Sequence, residues 1–273
     1  MSVRAKFWGV RGSIPTPQHE NLRFGGNTAC LEIRTDHERV IFDAGSGIRA
    51  LGACMMREAE GAPIETKIFL THFHGDHIQG IPFFAPIYSP QNRVSFYSGS
   101  TGSALQETLE GQMARPYFPI DFAQVAAHRD FHEIPAGGSV KTTDLVIRPF
   151  PMNHPQGASG YRIECGEAVI VYATDYEHGN ATLDAVLLEN ARDADLLICD
   201  AQYTPAEYQT HIGWGHSTWE NAVAVAQAAG AKRLVLFHHD PTHNDDMMNA
   251  IVTQASEYFP ETTAAWEGFA VNL

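Results

Sequence analysis

Six residues, His72-Phe73-His74-Gly75-Asp76-His77, crowd imidazoles and a carboxylate into one short stretch of chain. Imidazole nitrogens and carboxylate oxygens suit Zn²⁺, and also Mn²⁺ or Fe²⁺. Two histidines one residue apart point the same way from extended backbone, so His72 and His74 can chelate one ion. Beyond the Gly75 turn, Asp76 and His77 can face a second ion about 3.5–4 Å away, the spacing of two-metal hydrolytic sites. The competing reading is a solvated histidine-rich loop. Against it stands the preceding run Lys67-Ile68-Phe69-Leu70-Thr71, short and apolar, which reads as a buried strand delivering the cluster at its C-terminal end.

A His-x-His-x-Asp-His run behind a strand resembles the signature of the metallo-β-lactamase superfamily. Over nearly its whole length the chain is similar to that superfamily's phosphodiesterase branch, which includes ribonuclease Z and the class II cyclic-nucleotide phosphodiesterases. The resemblance implies an α/β fold, the αββα sandwich of two mixed β-sheets flanked by helices, with a dinuclear metal site at one edge of the facing sheets.

It also implies further ligands. The strand-like residues 145–152 lead into Asn153-His154-Pro155, and His154 sits where the family places its third zinc ligand. A second hairpin, residues 160–165 and 168–173, ends in Thr174-Asp175. A carboxylate at a strand end beside several histidines can bridge two cations with its two oxygens, and Asp175 is assigned that role over a turn-forming one. The strand 233–237 ends in adjacent His238 and His239. Comparison with the strand-Thr-His ending of ribonuclease Z favours His238, whereas the Gly-His-Asp ending of lactonases would favour His239; His238 is the expected ligand. Asp43 closes a strand just before Gly45, matching the superfamily's first motif, whose carboxylate supports the metal loop without binding metal itself.

Asp200 ends another apolar strand, where an unpaired charge would be expensive. A partner is offered by His216, held before a helix that a Ser217/Glu220 capping box opens and Gly230 ends. The phosphodiesterase branch carries a similar Gly-His-Ser-Thr motif whose His acts on the leaving group or the phosphoryl oxygens. By that resemblance His216 is a general acid or oxyanion stabiliser and Asp200 its orienter, at a place where the family more often has Glu.

Composition bounds the rest. The chain has 273 residues, 44% of them hydrophobic, and no Pro/Gly/Ser-rich linker divides it, so residues 1–273 are read as one domain. A formal charge of −14 repels polyanions, which argues against long nucleic acid and for a small phosphodiester as partner. Cys30, Cys54, Cys165 and Cys199 lack Cys-x-x-Cys spacing and read as free thiols. The N-terminal residues look like a strand without an apolar signal core, and no stretch approaches membrane-spanning length, so a cytoplasmic protein without a membrane partner is expected. Relatives in this branch tend to be homodimers, a state the resemblance extends to this chain.

Several local readings complete the picture. Residues 9–15 form a glycine turn, with a phosphate cradle by Arg11 and Ser13 as the weaker alternative. Residues 48–55 lie on a helix stopped by Gly61-Ala62-Pro63. Residues 78–84 open a helix, 93–97 form a strand and 103–110 a helix, and 115–120 form a substrate lip or a dimer contact within a 112–135 region that could be a lid. Helices at 180–191 and 245–257 and a strand at 263–271 follow.

Two divalent cations are expected, Zn²⁺ first. His72, His74 and His154 would hold one and Asp76, His77 and His238 the other, with Asp175 between, lowering the pKa of a bridging water toward about 7. The leading expectation is a dinuclear phosphodiesterase acting on small or cyclic phosphodiesters, cyclic nucleotides included, through that bridging hydroxide, with Asp76, His216 and Asp200 as its catalytic residues. The first alternative is a ribonuclease Z-like tRNA 3′-processing endonuclease. In that enzyme a tRNA-gripping arm is inserted between the third ligand and the bridging Asp, whereas His154 and Asp175 leave room for little more than a hairpin. The second is a lactone, thioester or β-lactam acyl hydrolase, which does not require the His216 element.

Overall fold

The computed structural model of the protein describes residues 2–99 and 104–273. Strands β1 (Arg4–Gly9), β2 (Cys30–Arg34), β3 (Arg39–Phe42), β4 (Glu65–Leu70), β5 (Arg93–Gly99) and β6 (His128–Ile134) lie side by side in that order. A second sheet runs β7 (Val140–Lys141), β8 (Val146–Met152), β9 (Ala158–Cys165), β10 (Ala168–Ala173), β11 (Leu196–Asp200), β12 (Leu234–Phe237) and β13 (Thr262–Ala264). The last strand, β14 (Ala270–Asn272), returns to the first sheet and pairs antiparallel with β1. Around them stand helices α1 (Ile48–Ala59), α2 (Gly75–Ile78), α3 (Leu105–Gln112), α4 (Ala181–Ala191), α5 (Pro205–Tyr208), α6 (Trp219–Ala229) and α7 (Asp245–Tyr258).

The period-two alternation of each strand builds this layering. In β4, Phe69 points between the sheets while Ile68 and Leu70 face α1. In β12, Val235 and Phe237 point inward while Leu234 and Leu236 meet α6 and α7. Both faces are therefore buried, which is why these strands read as unbroken apolar runs. The inner layer is aromatic: Phe42 stacks on Phe69 with ring centroids 5.3 Å apart and meets Tyr161 and Tyr172 edge-on at 5.3 and 6.0 Å. The two mixed sheets with flanking helices are the expected αββα sandwich.

Strands β3 to β6 run parallel, as do β10 to β13. Their C-terminal ends gather at one edge, where open α/β sheets place their ligands. No helix among the described residues is long and apolar enough to cross a membrane.

Some expectations are corrected. The single strand read at 263–271 is two, β13 and β14, in different sheets. Between them the chain turns at Gly268 (φ 89°), and Glu267 accepts hydrogen bonds from Asn27 N and Nδ2 at 2.7 and 3.0 Å. The helix read at 78–84 instead ends at Ile78, and a 3₁₀ turn follows at Ile81–Phe83. Gly80 lies so close to the chain that a Cβ there would sit 2.1 Å from Gly45 O, and Pro82 has no N–H to continue an α-helix. Strand β6 was not legible because it is a charged edge strand. The helix read from residue 103 is α3, and residue 103 itself lies outside the described residues. In the 115–120 segment Tyr117 is 82% exposed, while Phe118 packs edge-on against Phe83.

Ile33 is fully buried between the sheets, whereas Leu22 is 65% exposed. Ile33→Ala should cost about 2–5 kcal/mol in denaturant unfolding through lost transfer energy and a cavity. Leu22→Ala should stay within about 0.5 kcal/mol. Similar small losses at both would show that the inter-sheet layer is not what holds the fold.

Candidate metal centre

Each candidate ligand stands at or just beyond a strand end of that one edge. His72, His74, Asp76 and His77 follow β4, the last two on the single turn of α2. His154 follows β8, Asp175 follows β10, Asp200 closes β11 and His238 follows β12. Asp43, Asp175 and His238 all adopt left-handed backbone (φ 58°, 57° and 63°), which turns the chain sharply out of the sheet. Such a conformation costs about 1 kcal/mol or more for a residue with a Cβ and is found where surrounding structure enforces it.

Hydrogen bonds then fix each ring. Asp43 Oδ2 accepts from His77 Nδ1 at 2.9 Å. The Thr71 hydroxyl donates to Asp43 and so accepts from His72 Nδ1 at 3.0 Å. Gly215 O accepts from His154 Nδ1 at 2.8 Å, and Gln202 Oε1 from His238 Nδ1 at 2.9 Å. With every one of these Nδ1 protons directed outward, the four Nε2 lone pairs turn inward. Two of them, on His77 and His238, face each other at 3.2 Å. His74 presents Nδ1 instead, 3.1 Å from His154 Nε2.

Two carboxylates complete the interior. Asp175 Oδ1 lies 3.6 Å from His72 and 3.8 Å from His154, while its Oδ2 lies 3.1 Å from His77 and 3.5 Å from His238. One oxygen thus faces each group of histidines, the geometry of a bridge. Asp76 Oδ2 lies 3.2 Å from His238 Nε2 and accepts from Ser13 N at 2.7 Å.

Electrostatics favours positive charge inside. Burial disfavours ionised Asp175, but His238, His77 and His72 outweigh it and hold its pKa well below the carboxylate range. Asp76 is depressed likewise, with His77 and His238 overcoming burial. Burial, assisted by neighbouring imidazoles, keeps His72 and His154 below the usual histidine value, so their lone pairs are free. At His77 the desolvation is overcome by Asp175, Asp76 and Asp43, which pull its pKa upward. The donor set fits divalent cations on a direct observation: His72 Nε2 is buried with no hydrogen-bond partner, beside carboxylate oxygens and imidazole nitrogens that converge on the same space. Triads His72/His74/His154 and Asp76/His77/His238 each converge closely enough to hold an ion.

Beside this cluster His216 Nδ1 donates to Asp200 Oδ2 at 2.8 Å, and its ring stacks on His238 with centroids 4.8 Å apart. Asp200 also accepts from Asp175 N at 3.0 Å and Ser217 N at 3.0 Å. The helix behind His216 is capped by Thr218, which accepts from Asn221 N, and not by Ser217. The Ser217 hydroxyl is already engaged by His178 N at 3.2 Å. Of the two adjacent histidines, His239 turns away to donate to Ala265 O at 2.8 Å, and burial beside Arg11 lowers its pKa to about 3. Arg11 is itself fully buried, clasping the carbonyls of Gly25, Asp240 and His243, a structural role and not a phosphate cradle.

Sequence reasoning missed Gln202 and Glu177, and it read Gly12 as part of a glycine turn and Ser13 as a weaker phosphate contact, without their places beside His238 and Asp76. A Cβ at Gly12 would sit 2.5 Å from the His238 ring, so the chain passes flat over that imidazole. Glu177 accepts from Gly213 N and Gly215 N at 2.6 and 2.8 Å, hanging the strap whose carbonyl orients His154. The glycine-rich Gly213-Trp214-Gly215 was the only available signal.

A family model described as "Beta-lactamase superfamily domain" matches residues 38–239. A curated relative, ribonuclease Z of Natronomonas pharaonis, is 27% identical, with 87% of each chain covered. Among solved structures, the metallo-β-lactamase fold protein YhfI of Bacillus subtilis superposes with a TM-score of 0.76 at 18% identity, covering 100% of this chain and 99% of that one. Human tRNase Z, short form, does so at 0.67 and 22%, covering 99% and 98%. The chain belongs to the metallo-β-lactamase superfamily. Within it the chain falls in the branch of ribonuclease Z, and it is a metal-dependent hydrolase.

These relatives are at odds with the expectation that long nucleic acid is not a partner. Net charge describes the whole surface, whereas a phosphodiester meets the local field of the cluster; the −14 charge does not decide the matter.

Asp76→Ala and His74→Ala should each lower the metal content of purified protein, read by elemental mass spectrometry, and abolish turnover. Asp43→Asn, which leaves every inward donor atom in place, should weaken metal affinity by about 10–100-fold through the misoriented His77. Unchanged metal content in the first pair would remove the cluster as the metal site.

Proposed function

We propose that the protein is a phosphodiesterase using two divalent cations, Zn²⁺ foremost, held by His72, His74 and His154 and by Asp76, His77 and His238, with Asp175 between. When bound, such cations act as Lewis acids, acidifying water and offsetting charge on phosphoryl oxygens. The chain's own residues supply orientation and a proton. Asp43, Thr71, Gly215 and Gln202 keep the ring lone pairs aimed inward before substrate arrives, so little reorganisation accompanies reaction.

The observation that carries the reaction class is the His216–Asp200 pair. Burial alone would depress His216, but Asp200, with smaller contributions from Asp175 and Asp76, raises its pKa to about 9. With Nδ1 committed to Asp200, the Nε2 proton remains for a leaving oxygen. An alkoxide departing from phosphorus has a high conjugate pKa and needs such a donor. The thiolate expelled from a thioester leaves without such a donor.

Among phosphodiesters, the ribonuclease Z relatives support an RNA 3′-end activity over one dedicated to cyclic nucleotides. A small phosphodiester is the second reading, supported by the short β9–β10 hairpin that spans the interval from His154 to Asp175. Four free cysteines suit a reducing compartment such as the cytoplasm.

Metal-loaded protein should hydrolyse bis(p-nitrophenyl) phosphate and be silent on a lactone and a β-lactam. Precursor tRNA and cyclic dinucleotides in the same panel separate the two substrate readings. Activity confined to the acyl substrates would reject the proposal. His216→Ala should keep the metals yet slow unactivated diesters about 10²–10⁴-fold, and nitrophenyl esters much less, since nitrophenolate leaves without a proton. Equal slowing of both would remove His216 as acid.

A further inference from the structure

Next to the metal centre opens a cleft of ≈ 820 Å³, within the range of small-molecule sites. His154 belongs to both: its Nε2 faces the cluster, and the residue lines the inner wall of the cleft. The cleft is also lined by His178 and Tyr208, whose rings pack with centroids 4.5 Å apart at 37°. Neither ring takes part in the chemistry proposed above, and both are half-buried.

Each ring is held in place by hydrogen bonds. Ser217 Oγ accepts from His178 N and from Asn221 Nδ2, so its own proton is available to His178 Nδ1, 3.0 Å away. That arrangement leaves the proton on His178 Nε2, which has no partner among the described residues. Tyr208 OH donates to Glu177 Oε1 at 3.0 Å. The same carboxylate holds Gly213 and Gly215, so the aromatic pair and the strap over His154 share one anchor. Ile212, 63% exposed, adds an apolar rim.

We propose that this cleft receives a nucleobase of the substrate, stacked on the His178–Tyr208 pair, while the attached phosphodiester reaches past His154 to the metal centre. The inference rests on the phosphodiesterase reading and adds to it the chemical class of the flanking group. A pre-oriented pair of flat rings is what base stacking requires, and stacking tolerates any base. The free Nε2–H supplies one donor for a base carbonyl.

The test compares thymidine 5′-(4-nitrophenyl phosphate) with methyl 4-nitrophenyl phosphate, which share the scissile bond and the leaving group. His178→Ala should raise KM for the thymidine ester about tenfold with kcat held, and leave the methyl ester unaffected. His178→Phe, which keeps a flat ring, should retain most of the preference. Equal effects on both esters, no effect on either, or a phenylalanine variant as poor as alanine would overturn the proposal. Hydrolysis of neither ester by the unaltered protein would instead end the phosphodiesterase reading. In that event calorimetric binding of thymidine 5′-monophosphate against methyl phosphate decides the cleft, equal dissociation constants overturning it.

Discussion

Four aspartates, Asp43, Asp76, Asp175 and Asp200, are buried within one small region, none more than 7% exposed. Removing a carboxylate from water costs several kcal/mol unless hydrogen bonds and opposite charge compensate, and much of the architecture around the site can be understood as that compensation. Asp43 takes Thr71, Tyr172 and His77; Asp200 takes three backbone N–H groups and His216; Asp76 takes Ser13 N. What these bonds leave over is an interior lined with imidazole lone pairs and carboxylate oxygens, which is complete only when positive charge enters it.

The sandwich makes such a concentration possible. Two sheets with parallel strands deliver their C-terminal ends to the same edge, so residues from positions 72 to 238 meet within a few ångströms without any long loop. The rings that line the edge are oriented by groups just beyond the strand ends and on the Gly213–Gly215 strap, and not by their own side-chain preferences.

The legible part of this site was the part encoded locally. The cluster at 72–77 declares itself because four candidate ligands lie in one stretch, and His154, Asp175 and Asp200 because each stands at the end of an apolar run. The choice between His238 and His239 could not be read from two identical neighbours. It is made by the backbone, whose left-handed turn at His238 points one ring to the cluster and sends the other toward Ala265. Gln202 and Glu177 act through contacts distant in sequence, and nothing in their own neighbourhoods announces them. The final segment misled for a related reason. A run of apolar residues specifies a strand but not which of two sheets it joins, and that is settled by the Glu267–Asn27 contact.

The left-handed turns at Asp43, Asp175 and His238 carry a further implication for how such a chain can diverge. Asparagine tolerates that conformation better than almost any other residue with a side chain, and it lies a single base change from either aspartate or histidine. At these positions, therefore, the genetic step that removes a charge or an imidazole is also the one the backbone accepts most easily. A descendant could lose its metals, and with them its chemistry, while the strand ends, the aromatic layer and the cleft beside His154 kept their shape, leaving a binding protein in place of a hydrolase.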